Sequence, residues 1–137
     1  MANPGSSHSE GRGDGAVAAG IQRELPHLSP TEHRELMRSL VRLVEAFVPE
    51  TIYVFGSHAR RAPRANSDID LLIVVRASDE PPYRRAQRAY AAVGAHSVAL
   101  DIQVMTRGEF EERLAAVSSL PATVVREGRV LYGSSAA

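Results

Sequence analysis

The chain of 137 residues is long enough for one domain with a single hydrophobic core, and its composition excludes several classes of protein. It has no Cys, which rules out disulfides, thiolate zinc sites and a Cys nucleophile. Its 16 basic residues balance 16 acidic ones, so net charge gives no attraction to nucleic acid or to an anionic membrane. Every basic residue is Arg, so any basic side chain that contacts phosphate must be Arg.

The N-terminal segment is predicted to be a disordered tail. Residues 1–28 begin with MANPGSSHSEGRGDG, and five glycines fall within the first twenty positions. We expect an ordered domain over residues 29–132 and a C-terminal tail over 133–137. No apolar run reaches the length of a membrane span and the N-terminus lacks an apolar signal core, so the sequence predicts a soluble, cytoplasmic protein.

Order is predicted to begin with an amphipathic helix. Ser29, Pro30 and Glu32 fit an N-cap, a first helical position and a capping box, and apolar residues recur at helical spacing until Pro49. Beyond it, the pattern predicts strands at Thr51–Phe55, Ile69–Val75, Val98–Met105 and Arg129–Tyr132. It predicts a helical turn at His58–Arg61 and a loop at Pro63–Ser67 between the first two strands. Further helices are predicted at Pro81–Ala95, Arg107–Val117 and Pro121–Glu127. This alternation indicates an α/β layer structure.

Three carboxylates lie where neighbouring strands can bring them together. Asp68 and Asp70 are two residues apart at the start of one strand, so both side chains point to the same face. Asp101 lies on the polar face of a later strand, between Leu100 and Ile102. Like charges this close repel each other, but Mg²⁺ prefers oxygen ligands and removes that objection. If the strands are adjacent, the cluster can hold two metal ions for in-line phosphoryl displacement.

The turn Gly56-Ser57 is the candidate phosphate site. Gly allows the backbone to approach a phosphate closely, and Ser57 offers a hydroxyl and a backbone N–H. A following helical turn would aim further N–H groups at the same anion. Arg60 can add positive charge there, or can pair with an acidic neighbour instead.

The segment GSHARRAPRANSDIDLLIVV resembles the signature of the DNA polymerase β-like nucleotidyltransferases, and the chain is most similar to their minimal nucleotidyltransferases. The resemblance covers about residues 30–132, including Asp101 in its apolar strand and the closing REGRVLY. The resemblance implies a small mixed sheet flanked by helices. The sequence departs from the family pattern at Arg61, where the family usually has Gly.

The resemblance also implies roles for individual residues. Gly56 and Ser57 would bind the phosphates of ATP or another NTP, and the three aspartates would bind Mg²⁺, with Asp101 helping to activate the acceptor. Arg60 and Ser67 complete the nucleotide-binding candidates. Minimal nucleotidyltransferases often accompany a HEPN-domain toxin and modify it with AMP, so the resemblance implies such a protein as the partner.

Each of these residues also has a structural interpretation. Asp68 and Asp70 can cap a turn at the start of a strand, Asp101 can be a solvated face residue, and Ser57 and Ser67 can be turn formers. A second set is interpreted as solvated helix surface, with a partner or RNA surface as the alternative for its arginines: His33, His58, Arg84, Arg85 and Arg88.

Three functions are compatible with these features. The first is transfer of NMP, in particular AMP, to a partner protein, because so short a chain has little mass to bind a small acceptor itself. The second is a binding antitoxin that occludes its partner without catalysis. The third is a free-standing small-molecule nucleotidyltransferase that builds its acceptor site as a homodimer. Nucleic acid is not expected as a direct ligand.

Overall fold

The computed structural model describes residues 4–60, 62, 67–96 and 98–135, and it contains a four-stranded mixed sheet with helices on both faces. The strands are β1 Thr51–Phe55, β2 Ile69–Val75, β3 Leu100–Thr106 and β4 Arg129–Gly133. Their order in the sheet is β3-β2-β1-β4. Strand β1 is antiparallel to both β2 and β4, whereas β2 is parallel to β3. The helices are α1 Pro4–Glu24, α2 Pro30–Phe47, α3 Gly56–Ala59, α4 Pro82–Val93, α5 Arg107–Leu114 and α6 Leu120–Glu127. The predicted fold class is confirmed.

Two apolar cores lie on opposite faces of the sheet. The larger core is almost entirely aliphatic and packs the sheet against α1, α2 and α4. The smaller one packs the other face against α5 and α6 around Phe110, whose ring is parallel to that of Tyr53 at a centroid distance of 5.9 Å. Strand β2 contributes to both cores and is apolar on both faces beyond Asp70, as predicted for a central strand. Among the described helices, none combines the length and apolar character that a bilayer span requires.

The predicted elements from residue 29 onward are present, with bounds shifted by a few residues. The capping box at Ser29 and Glu32 is formed in both directions, and α2 ends at Phe47, followed by Val48 as a left-handed C-cap before Pro49. Gly94 closes α4 as predicted. Helix α5 ends earlier than its predicted bound of Val117. Of the predicted loop Pro63–Ser67, only Ser67 lies within the described residues, and Arg61 lies outside them.

The N-terminal segment differs from the disordered tail that the sequence predicts. Residues Pro4–Glu24 form α1, and Val17 and Ile21 are fully buried in the larger core. A Cβ added at Gly20 would overlap the carbonyl oxygen of Leu131 and would lie 2.9 Å from its carbonyl carbon. The helix therefore lies directly against β4, and this long-range contact supplies the burial that the local composition does not indicate.

Arg85 is the second departure from the sequence analysis, which places it on a solvated helix face. It is only 3% exposed, because it lies on the inward stripe of α4 with Ala89 and Val93. Its guanidinium donates two hydrogen bonds, of 2.7 and 2.9 Å, to the carboxylate of Glu109 on α5. It also donates to the carbonyl oxygen of Val104 on β3 at 2.9 Å. Arg85 thus joins α4, β3 and α5, and its interpretation as a solvated residue is wrong.

Helix α4 also covers the outer edge of β3, the strand that ends the sheet on this side. The backbone N–H of Ile102 donates to the Tyr90 hydroxyl oxygen at 2.8 Å, and that hydroxyl donates to the Leu100 carbonyl at 3.5 Å. With Arg85 on Val104, two side chains of one helix therefore hydrogen-bond to backbone groups along this edge.

Candidate active site

The turn after β1 is built around a glycine that no other residue can replace without displacing a carboxylate. Gly56 has φ of +72°, a left-handed conformation that favours Gly. A Cβ added there would overlap Oδ2 of Asp70 and lie 3.2 Å from its Cγ. The backbone of the predicted phosphate turn is therefore in direct contact with one of the predicted metal ligands.

Asp70 and Asp101 are brought side by side by the register of the two parallel strands. Asp70 on β2 is the Cα partner of Asp101 on β3, and on its other side it pairs with Phe55 at the end of β1. Residues paired across adjacent strands point to the same face. Asp70 is half-buried and Asp101 is exposed. The adjacency of the strands, on which the predicted carboxylate cluster depends, is therefore present.

The remaining candidates lie around this pair. Asp68 is exposed in the loop that leads into β2, and Ser67, which precedes it, is half-buried. Ser57 is half-buried in α3, and Arg60 is exposed at the end of that short helix. All seven sequence-predicted site residues thus lie on or beside α3 and on the first residues of β2 and β3 or in the loop before β2.

The electrostatics of the site centre on Asp70. Burial raises the pKa of its carboxyl above the ordinary value of 3.8, and the neighbouring carboxylates of Asp101 and Asp68 raise it further. His58 and Arg60 act in the opposite direction by stabilising the charged form. The site therefore concentrates negative charge at a partly desolvated position, with one arginine close enough to act on it.

The donor set suits a hard divalent cation. Asp70 and Asp101 offer carboxylate oxygens from adjacent register positions, and their mutual repulsion is the kind that a cation relieves. In the part of the chain that the structure describes, no three His, Cys, Asp or Glu side chains are gathered closely enough to hold a metal ion. Asp68 belongs to a loop rather than to a strand, so its position is the least constrained of the three.

His58 is a residue of the site whose burial the sequence analysis missed. It is 6% exposed rather than solvated, its Nε2 lies 3.2 Å from the carbonyl oxygen of Ser67, and its Nδ1 lies 3.1 Å from Nε2 of His27. It therefore connects α3 to the residue before Asp68. A four-residue helix carries too little periodicity to reveal which side faces inward.

Tyr90, like His58, contacts the site through interactions that no pattern in the sequence indicates. Its hydroxyl bonds to the backbone of Leu100 and Ile102, which are the residues immediately before and after Asp101. The interaction fixes the strand on both sides of that aspartate, although Tyr90 lies in an Ala- and Arg-rich helix far from any motif.

Comparison with known proteins places this geometry in a family. The family model for polymerase β nucleotidyltransferases matches residues 41–137. No curated protein matches the sequence. One similar solved chain comes from the crystal structure of a toxin–antitoxin with AMP-PNP; it is 23% identical, with 70% of this chain and 72% of that chain covered and a TM-score of 0.44. The family match spans well over half of the chain and contains both Gly56-Ser57 and the three aspartates, so this chain belongs to the polymerase β nucleotidyltransferase family.

Proposed function

We propose that this nucleotidyltransferase, with Mg²⁺, transfers AMP from ATP to a hydroxyl group of a partner protein. The acceptor oxygen forms a bond to the α-phosphorus, the bond between the α- and β-phosphates breaks, and pyrophosphate leaves. The observation that carries the proposal is a row of groups across one end of the sheet. Gly56 follows β1, Asp70 is the second residue of β2 and contacts Gly56, and Asp101 lies in register on β3. The turn that carries Ser57 thus adjoins paired carboxylates, and nucleotidyl transfer requires such a combination of phosphate-binding and metal-binding groups.

The residues of this row have distinct tasks in the proposed reaction. Gly56 leaves room for the Asp70 carboxylate directly beside the turn, and Ser57 supplies a hydroxyl and an N–H to the phosphate oxygens. Arg60 is exposed beside the carboxylates and adds positive charge for the triphosphate. Asp70, Asp101 and Asp68 would hold the metal. When bound, Mg²⁺ supplies Lewis-acid stabilisation of charge on the phosphate oxygens.

The order of the strands indicates the side from which the acceptor approaches. The phosphate turn follows β1, whereas Asp101 is exposed on β3, which has β2 on one side only. The triphosphate and the acceptor would therefore occupy opposite ends of the row. In this arrangement Asp101 is the carboxylate that faces the incoming hydroxyl and accepts a hydrogen bond from it.

A HEPN-domain protein is the partner that we propose, on the strength of the resemblance to the minimal nucleotidyltransferases. The test is to incubate the purified protein with labelled ATP, Mg²⁺ and the product of the adjacent gene, and to locate the label by mass spectrometry. We expect one AMP group per modified site on the partner. Asp70→Asn and Asp101→Asn should abolish labelling, whereas Asp79→Asn, an exposed aspartate away from the site, should not.

Two other results would lead to different functions. Tight partner binding that is indifferent to ATP, Mg²⁺ and the aspartate substitutions, with no label transferred, would indicate an antitoxin that acts by occlusion. Label that accumulates on a small molecule, together with a dimer on a sizing column, would indicate a free-standing small-molecule enzyme. Either result would overturn the proposed protein acceptor.

A further inference from the structure

We infer that a hydrogen-bonded pair of residues, His27 and His58, positions the phosphate turn against the loop that carries Asp68. We call this pair the His27–His58 brace. His58 belongs to α3, directly after Gly56 and Ser57, and His27 belongs to the connection between α1 and α2. The family match begins at residue 41, so His27 lies outside it. The inference deepens the proposed function, because it rests on the turn being the place where NTP binds.

The hydrogen bonds of the brace form a short chain. The Ser67 carbonyl can only accept, so the Nε2 of His58 that lies 3.2 Å from it carries a hydrogen and donates. Nδ1 of His58 lies 3.1 Å from Nε2 of His27, close enough for one hydrogen to lie between the two ring nitrogens. The hydrogen bonds therefore connect His27 through His58 to the residue before Asp68.

The ring geometry adds a second contact between the two residues. The centroids are 5.3 Å apart and the planes differ by 20°, so the rings are stacked. The separation lies within the roughly 4.5–7 Å of offset-stacked rings. His27 and His58 therefore contact each other both through their ring nitrogens and through their ring faces.

The two ends of the brace are anchored in different ways. At one end, Leu25 is buried and Leu28 packs against the larger core, so the turn that carries His27 is held on both sides. At the other end, the Ser67 carbonyl and the Asp68 amide nitrogen belong to the same peptide plane. A hydrogen bond to that carbonyl therefore fixes the orientation of this peptide plane, and with it the direction in which the Asp68 side chain leaves the backbone.

The contribution of the brace to the site follows from these anchors. Asp68 lies in a loop rather than in a strand, and His58 hydrogen-bonds to the carbonyl of the peptide that precedes it. His27 is exposed and is not needed for the core, so its substitution changes the hydrogen bond rather than the fold. His27 and His58 are thus positioning residues that act through the loop.

Two substitutions of His27 separate the hydrogen bond from the bulk of the ring. His27→Leu keeps a side chain of substantial size but cannot form the hydrogen bond, whereas His27→Gln can donate or accept a hydrogen bond at the corresponding position. We expect calorimetry with AMP-PNP and Mg²⁺ to show roughly 3- to 10-fold weaker binding for His27→Leu and a change within about 2-fold for His27→Gln. His33→Leu is the control, because Nε2 of His33 has no hydrogen-bond partner among the described residues.

A second measurement tests the brace without nucleotide. Hydrogen exchange at the Asp68 amide and its neighbours should be faster in His27→Leu than in the wild type, and His27→Gln should restore protection. Unchanged exchange together with unchanged AMP-PNP affinity in His27→Leu would overturn the inference, as would equal losses in both variants. If the wild type itself fails to bind AMP-PNP, the proposed function fails instead, and the exchange rates still decide whether the brace exists.

Discussion

At the scale of single residues, the contact between Gly56 and the Asp70 carboxylate is the tightest constraint on the site. The turn has a positive φ that disfavours any Cβ, and the space a Cβ would take is filled by the Asp70 carboxylate. The strand pairing of Asp70 with Phe55 keeps this carboxylate at the level of the turn. The predicted phosphate turn and the predicted metal ligand Asp70 are therefore built as a single unit.

Substitution of Gly56 tests this unit. Gly56→Ala must displace the Asp70 carboxylate and strain the turn, so we expect at least about a 100-fold loss of nucleotidyl transfer, the effect of an ångström-scale displacement. Gly108→Ala is the control, since an added Cβ there meets nothing closer than Oγ1 of Thr106 at 4.0 Å. Steady-state rates with saturating ATP measure both. Wild-type activity in Gly56→Ala would show that the contact is not required.

The raised pKa of Asp70 predicts that the site lowers the stability of the metal-free protein. A carboxyl group with a higher pKa in the folded than in the unfolded protein stabilises the fold when it is protonated. This stabilisation is complete at pH values below the pKa of the unfolded state. It is lost as the pH rises through the raised pKa of the folded state. Asp70→Asn removes the charge while keeping the shape. In EDTA at pH 7 we therefore expect a higher melting temperature than in the wild type.

The pH dependence provides the check. The advantage of Asp70→Asn should shrink as the pH falls and should vanish below the ordinary pKa of 3.8, where the wild-type carboxyl is protonated in both states. Asp79→Asn, at an exposed position, should leave the melting temperature unchanged. A lower melting temperature for Asp70→Asn at pH 7 would mean that the ionised carboxylate is stabilising.

The residues that the sequence could and could not reveal differ in one respect. Gly56, Asp70 and Asp101 belong to patterns that are local, a turn after a strand and alternation within a strand, and the structure brings them together as these patterns suggest. His58 and Arg85 were misplaced because their burial depends on partners distant in sequence, such as His27 and Glu109. A polar residue can face inward wherever a distant partner satisfies it, and local periodicity does not show that partner.

At the scale of secondary-structure elements, the ion pair of Arg85 and Glu109 joins α4 to α5 across the end of β3. Arg85 is almost fully buried, so removal of its partner leaves a guanidinium with too few acceptors. We expect Glu109→Gln to lower the free energy of unfolding by about 2 kcal/mol, the scale of hydrogen bonds to charged groups. Urea unfolding at neutral pH measures it.

The pH profile of that variant follows from the pKa of Glu109. The hydrogen bonds from Arg85 are the largest cause that lowers this pKa, from 4.5 to about 2. The stabilisation is present above 4.5 and is lost as the pH falls through about 2, so the difference from Glu109→Gln should narrow over this interval. Glu111→Gln, which loses only a pair with exposed Arg107, should cost less than about 0.5 kcal/mol. Equal costs for the two variants would contradict a special role for Arg85.

At the scale of the whole molecule, α1 is part of the domain and not an appendage to it. Val17 and Ile21 are as deeply buried as the centre of β2, and the helix lies against both α2 and β4. The sequence conceals this because the segment is rich in Gly and Ser, and because its inward stripe of Val17, Ile21 and Leu25 is too sparse to outweigh that composition. Its partner strand comes at the far end of the chain.

Two glycines of α1 test this docking against each other. Gly20→Ala would drive a Cβ into the Leu131 carbonyl, so we expect a loss of about 1–3 kcal/mol in the free energy of unfolding, although Ala is the better helix former. Gly15→Ala meets nothing within 4 Å and should gain about 0.5–1 kcal/mol. Chemical denaturation compares the two. A stabilised Gly20→Ala would refute the close approach of α1 and β4.

The covering of the sheet edges has a consequence for how the protein associates with others. Tyr90 and Arg85 take up backbone groups on the outer side of β3, and Arg23 of α1 donates to the Val130 carbonyl of β4, the other edge strand, at 3.3 Å. A further strand, whether from a misfolded copy or from a partner, would have to displace these side chains before it could form a ladder. These contacts therefore oppose the pairing of β3 or β4 with a strand of another chain.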